Sequence, residues 1–202
     1  MHTERIQAFS DGIFAILITI LVLEFKIPAY TSGHLYKSVL NQWPIFLAYI
    51  MTFIYIGILW MFHHDLFEYI RVTTITLNAL NLFSIFLTTM LSYSMSLLST
   101  SLSTENAADI QFATGFYSLL ALGISLSYYL IYRYIAASSA ILCSPDTKNL
   151  FQTVKRYPLA STLIYAAALL FSVFNVWLGF IFLAAGIVFH CLAYWKSARI
   201  KD

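Results

Sequence analysis

The stretch RIQAFSDGIFAILITILVLEFKIP, residues 5–28, decides how this chain is read. From Gly12 to Leu23 it carries no charge, which is the signature of a membrane-spanning helix, yet Asp11 stands one turn inside the apolar stretch. A carboxylate at that depth is costly in hydrocarbon unless it faces protein or water, so an intramembrane ionisable residue marks function by default. What surrounds Asp11 is therefore the question put to the rest of the chain.

Of 202 residues, 60% are hydrophobic and only 10% are charged, and the mean hydropathy is +0.79. Ordinary soluble domains do not reach those values, whereas multi-spanning membrane proteins do. No long polar stretch leaves room for a separate water-soluble domain, so one membrane domain over residues 1–202 in the lipid bilayer is expected. Cys143 and Cys191 lie far apart with no partner motif, giving neither a disulfide framework nor a zinc pattern. A net charge of +2 provides no broad basic surface for nucleic acid.

A window of roughly 20 apolar residues, the length that crosses a bilayer core as a helix, finds six spans. They lie near 6–25, 40–63, 74–98, 111–136, 157–175 and 177–195. The last two are joined only by Asn175-Val176-Trp177 and form an antiparallel hairpin if both cross, five spans being the alternative count. Arg5 followed by an apolar segment also resembles a signal peptide, but Asp11 at its head and the absence of a small-x-small site after Leu23 argue against one. Lys and Arg in the short loops set the orientation. With the N-terminus inside, Arg5, Arg71, Arg133, Lys148, Lys155, Arg156, Lys196, Arg199 and Lys201 are cytoplasmic, against Lys26 and Lys37 outside. The loop bearing Glu105 and Asp109 holds no base and fits the outside. Both termini are expected in the cytoplasm. In the run Ser92 to Thr104, hydroxyls alternate with Leu and Met and are expected to bond to their own or neighbouring helices.

By this orientation the start of span one, the end of span two and the start of span three share one depth. That level holds Arg5, Ser10 and Asp11, then His63, His64, Asp65 and Glu68, then Asn78 and Asn81. Carboxylate, guanidinium, imidazoles and amides at one level can satisfy one another where water is scarce. Arg5 and Asp11 are six residues apart, about 240° around a helix, so their partners are expected on other spans. A hydrogen-bonded clasp that fixes the first helix is the leading reading, with proton transfer or gating as the other.

His64 and Glu68 are spaced i, i+4, but adjacent histidines diverge by about 100°. No second His or carboxylate pair completes a metal set. His190 is expected to be a satisfied core histidine. No Gly-rich phosphate loop, nucleophile elbow or zincin motif occurs, so no enzyme and no cofactor is expected. Beyond Asp11, the residues Ile16, Thr19, Ile20 and Leu23 fall at i, i+3, i+4 and i+7 and form one stripe. Brought together by several subunits around an axis, such a stripe makes a narrow hydrophobic constriction, one known way to gate or filter.

Arg5-x-x-x-Phe9-Ser10-Asp11, continuing through Gly12-Ile13-Phe14-Ala15-Ile16 and Thr19 to Leu23, resembles the signature of transmembrane protein 175, an endolysosomal potassium channel family with prokaryotic relatives. A second block is similar to the same family: Trp60-Met61-Phe62-His63-His64-Asp65-Leu66-Phe67, then Leu77-Asn78-Ala79-Leu80-Asn81-Leu82. Together the blocks cover roughly the first 85 residues; spans four to six match only in number and hydropathy.

The resemblance implies an all-α channel in which the first of six transmembrane helices lines a central pore. Prokaryotic members with one repeat assemble as homotetramers, which this chain's single repeat implies, in a prokaryotic plasma membrane. Carried over by position, Ile16 forms the narrowest hydrophobic ring, Thr19 supplies hydroxyls just beyond it, and Ile20 and Leu23 continue the lining. Arg5, Phe9, Ser10 and Asp11 join Trp60, His63 or His64, Asn78 and Asn81 in the network that sets the helix. The chain lacks the Thr-Val-Gly-Tyr-Gly filter of ordinary potassium channels. It also has Ser92 where relatives often have proline, which implies a straighter third helix.

The expectation is thus a potassium-permeable cation channel that binds no cofactor and passes monovalent cations. Two other classes are weighed against it. A proton-coupled secondary transporter would use Asp11 and His63 or His64 as a relay and show saturable, pH-driven uptake. A membrane enzyme built on His63, His64, Asp65 and Glu68 would hold stoichiometric metal. Six-span transporters commonly carry inverted repeats, and none is evident.

Overall fold

The computed structural model describes residues 3–138, 141–144, 151 and 154–198; Lys148, Arg199 and Lys201 of the expected cytoplasmic set lie outside them. The chain is all-helical, and among the described residues six helices are long and apolar enough to cross a membrane. Helix α1 (Thr3–Ile20) passes into a 3-10 turn at Leu21–Glu24, followed by the short α2 (Leu35–Leu40). The long helices α3 (Trp43–Glu68), α4 (Ile75–Thr104) and α5 (Ala107–Ala137) come next. The chain closes with α6 (Arg156–Phe174) and α7 (Val176–Ala198).

Helix ends differ from the hydropathy windows for identifiable reasons. The second span continues past His63 to Glu68, because charge ends a hydropathy window without ending a helix. Residues 40–42 belong instead to the end of α2 and the turn before α3. Thr74 caps α4, its hydroxyl accepting the Leu77 N–H at 3.2 Å. At the far end, Glu105 takes a left-handed φ of 55° and Asn106 caps α5 by accepting from Ala108 and Asp109. That two-residue corner lets α4 and α5 run further than their apolar windows. Asn175 does the same between α6 and α7, accepting from Trp177 N at 3.0 Å and Leu178 N at 3.2 Å.

Helix α4 is uninterrupted through Ser92. In the Ser92–Thr104 run four hydroxyls bond back to their own helix, Ser99 to Ser96, Ser101 to Leu98, Ser103 to Ser99 and Thr104 to Ser101, all at 2.8–2.9 Å, whereas the buried Ser94 hydroxyl has no partner among the described residues.

Helices α3, α5, α6 and α7 enclose an aromatic core with Tyr55, Tyr117 and Tyr165 fully buried. In a membrane a buried hydroxyl must find a partner inside the protein. The Tyr117 hydroxyl meets Thr52 Oγ1 at 3.0 Å, and Tyr128 donates to the Leu59 carbonyl at 3.0 Å. His190 is the core histidine expected: its Nδ1 donates to the Gly186 carbonyl at 2.9 Å and lies 3.3 Å from the Tyr165 hydroxyl. The Tyr165 ring crosses directly over Gly186, where a Cβ would sit 2.4 Å from its Cε1. A side chain at Gly179 would likewise meet the Ser172 backbone at 2.6 Å, so α6 and α7 touch main chain to main chain.

Helix α1 stands at the margin, packing on α3 and, less extensively, on α4. Its buried residues Ile6, Ser10, Phe14, Leu17 and Leu21 recur at helical spacing and form the face turned toward those helices. The opposite face is exposed among the described residues.

Candidate functional site

The two faces of α1 define the site. On the outward face Ile16 is 61% exposed, Leu23 is 74% exposed, and Ile20 and Thr19 are exposed too. All four residues of the expected stripe thus lie together, turned away from the subunit. Because Leu21–Glu24 is a 3-10 turn, in which side chains at i and i+3 eclipse, Leu23 stands nearly above Ile20. The Thr19 hydroxyl donates back to the carbonyls of Ile16 at 2.8 Å and Ala15 at 3.0 Å. Its proton is committed to the backbone, and its lone pairs are what it presents outward.

The polar residues at the foot of α1 separate into two layers. The inner layer is buried and uncharged. His63 Nε2 donates to Asn81 Oδ1 at 2.8 Å, Asn81 Nδ2 donates to Ser10 Oγ at 3.1 Å, and Ser10 donates to the Ile6 carbonyl at 2.9 Å. This directional chain crosses from α3 through α4 to α1, and the other ring nitrogen, His63 Nδ1, is buried with no hydrogen-bond partner among the described residues. Phe67 stacks on the His63 ring at 4.5 Å and Phe14 lies against it at 5.5 Å, so the imidazole is held by both rings and amide.

The outer layer carries the carboxyl groups and is partly exposed. Trp60 Nε1 donates to Asp11 Oδ1 at 2.9 Å, and Asp11 Oδ2 lies 3.7 Å from His64 Nδ1. His64 Nε2 is 3.6 Å from Glu68, while the Gln7 amide is 3.4 Å from His64 Nδ1. Polar contacts this exposed contribute little to stability but still fix orientation. Asp11 thus has the partners from another span that its depth required.

Of the expected network, Ser10, Asp11, Trp60, His63, His64 and Asn81 are brought together. Among the described residues, no hydrogen bond or ion pair joins Arg5, Phe9 or Asn78 to it. Arg5 and Phe9 fall four residues apart on the exposed face that continues to Ile16, so the rotation that buries Ser10 turns them outward. Asn78 is half-buried and its Oδ1 has no hydrogen-bond partner among the described residues. Gln7 was missed, although its i, i+4 spacing to Asp11 was a readable signal. Among the described residues no group of three or more His, Cys, Asp or Glu side chains is placed to hold a metal ion.

Comparison with known proteins places these features in context. Residues 5–91 match the sequence profile of the family described as endosomal/lysosomal potassium channel TMEM175. A potassium channel of Chamaesiphon minutus is 30% identical over 181 residues, covering 88% of this chain and 87% of that protein. A potassium channel of Streptomyces collinus is 34% identical over 128 residues, 63% of this chain and 61% of that one. The endosomal/lysosomal proton channel TMEM175 of mouse is 36% identical over 94 residues, 42% of this chain but 19% of the longer mouse protein. In three dimensions the chain is similar to the crystal structure of a lysosomal potassium-selective channel TMEM175 homolog from Chamaesiphon minutus. That likeness has a TM-score of 0.83 at 27% identity and covers 94% of this chain and 96% of that one.

Proposed function

Since the chain belongs to the TMEM175 family of channels, we propose that it is a potassium-permeable cation channel whose α1 helices line a central pore between four copies. The six spans act as one conducting unit in a prokaryotic plasma membrane, with both termini in the cytoplasm. One observation carries this reading. Helix α1 is anchored at its foot by two polar layers, and yet it leaves Ile16, Thr19, Ile20 and Leu23 exposed among the described residues. A helix held that firmly to α3 and α4 presents its free stripe at a fixed angle, which is what a constriction built from several subunits requires.

An isoleucine ring has no ligand to replace ion hydration, so the Ile16 ring acts as a size and dehydration barrier. Thr19, one turn further on, offers hydroxyl lone pairs because its proton is bonded to the helix. Ser10, Asp11, Trp60, His63, His64 and Asn81 position α1 and do not touch the permeant ion. Potassium-driven electrogenic flux into liposomes, repeated with sodium, tests the function. In Ile16→Asn the discrimination between the two cations is expected to fall or the leak to rise. Unchanged ion ratios in that variant would remove Ile16 from the filter.

Proton coupling is the second reading, favoured by the contact of Asp11 with His64 and by the mammalian relatives named as proton channels. It predicts that Asp11→Asn abolishes pH-driven solute uptake while leaving assembly intact.

A further inference from the structure

Helix α1 packs on α3 and α4, α4 packs extensively on α5, and α5, α6 and α7 pack closely on one another, so side-chain packing through α4 is one route from these helices to α1. A second, backbone route lies in the turn between α3 and α4. There Arg71 N donates to the Ile141 carbonyl at 2.9 Å and Cys143 N donates to the Tyr69 carbonyl at 3.0 Å, pairing Ile70 with Leu142 in an antiparallel bridge. The segment after α5 is thereby bonded edge-on to the turn after α3. Ile70, Ile141 and Leu142 are all buried at this joint, and Phe151 packs on both Tyr69 and Tyr132 behind it.

The same turn holds the foot of α1. The Thr3 hydroxyl donates to the Arg71 carbonyl at 3.0 Å, on the very peptide group that follows the bridge. Thr3, Glu4 and Gln7 of α1 face Ile70, Arg71 and Val72 across a shared crevice of about 560 Å³. Three segments far apart in sequence are therefore in series: α1, the α3–α4 turn, and the strand-like segment 141–143.

We propose that segment 141–143 is a strap through which the α5–α7 body sets the position of the pore helix. Movement of that segment is transmitted by the backbone bridge to the Arg71 peptide and from there to Thr3, changing how often the pore is open without changing which ion it prefers. The assignment rests on the channel reading above. Thr3, Ile70 and Leu142 act as positioning residues, since none lies on the stripe that faces the permeant ion.

The bridge geometry supplies the test. With hydrogen bonds from 71 to 141 and from 143 to 69, Ile70 and Leu142 are a non-hydrogen-bonded antiparallel pair, whose Cα atoms lie roughly 4.5 Å apart, close enough for a disulfide. Ile70→Cys with Leu142→Cys is made in a Cys143→Ser, Cys191→Ser background and reconstituted in liposomes. Oxidation, verified by loss of free thiol, is expected to lower potassium flux by about fivefold or more. Reductant restores the flux, and the potassium-to-sodium ratio stays constant. Complete cross-linking with unchanged flux overturns the proposal. Absence of flux even in the reduced protein instead removes the channel reading on which it rests. Thr3→Val provides a second measure that needs no cross-link: potassium flux shifts by about twofold or more at a constant ion ratio, and an unaltered flux counts against the strap.

Discussion

The two faces of α1 are both rich in large aliphatic residues, and hydropathy does not tell them apart. The inward face, with Ile6, Phe14, Leu17 and Leu21, is closed off by α3 and α4. The outward face, with Ile16, Ile20 and Leu23, is exposed, from 36% at Ile20 to 74% at Leu23. What distinguishes them is the polar foot. Ser10 belongs to the inward face and is bonded to Asn81, while Asp11, one residue on, is turned toward Trp60 and His64. A single polar turn therefore sets the rotation of the whole helix, and the apolar residues above it follow. If that is right, the inward face should matter for stability and the outward face for conduction.

The contrast predicts effects of different sizes. The largest loss of stability is expected from Asn81→Leu, which leaves the buried His63 with no partner for either ring nitrogen and costs about 2–3 kcal/mol; unfolding in detergent measures it. Phe14→Ala comes next. Because lipid is as apolar as the side chain, the loss there is of packing more than of transfer from water, about 1–2 kcal/mol. Ile16→Ala, two residues away, is expected to change stability by less than about 0.5 kcal/mol while raising ion flux. A matching loss of stability at both positions would break the distinction between the faces. The smallest effect is expected from Trp60→Phe. It removes the donor to Asp11 at a partly exposed site, costing below about 1 kcal/mol; a large loss there would make the outer layer the main anchor.

Much of this was readable in the chain. Six spans follow from hydropathy alone, and the stripe from Ile16 to Leu23 follows from helical spacing. The common depth of Ser10, Asp11, His63, His64 and Asn81 follows from the orientation of the spans. What spacing did not resolve was which histidine faces which layer. His63 and His64 diverge by about 100°, so only one can join Asn81, and the choice depends on how α3 is rotated against α4, which packing decides. Here Phe67 and Phe14 enclose His63 and leave His64 to Asp11. Arg5 and Phe9 went outward for the same reason, since burying Ser10 leaves them on the opposite side of the helix. The strap at Ile70 and Leu142 was invisible in the sequence because it consists of backbone hydrogen bonds, which no side-chain pattern encodes.

The central claim is that the outward face of α1 borders water and passing ions. Lipid would leave the same residues exposed in a single chain, so chemistry must tell the two apart. Leu23→Cys and Leu17→Cys, each in a background with Cys143 and Cys191 changed to Ser, should be treated in liposomes with a membrane-impermeant cationic thiol reagent while potassium flux is recorded. The account predicts that the thiol at 23 reacts and flux falls, and that the thiol at 17 stays unreactive. An unreactive thiol at 23 in protein that still conducts potassium would place this face in lipid and contradict it.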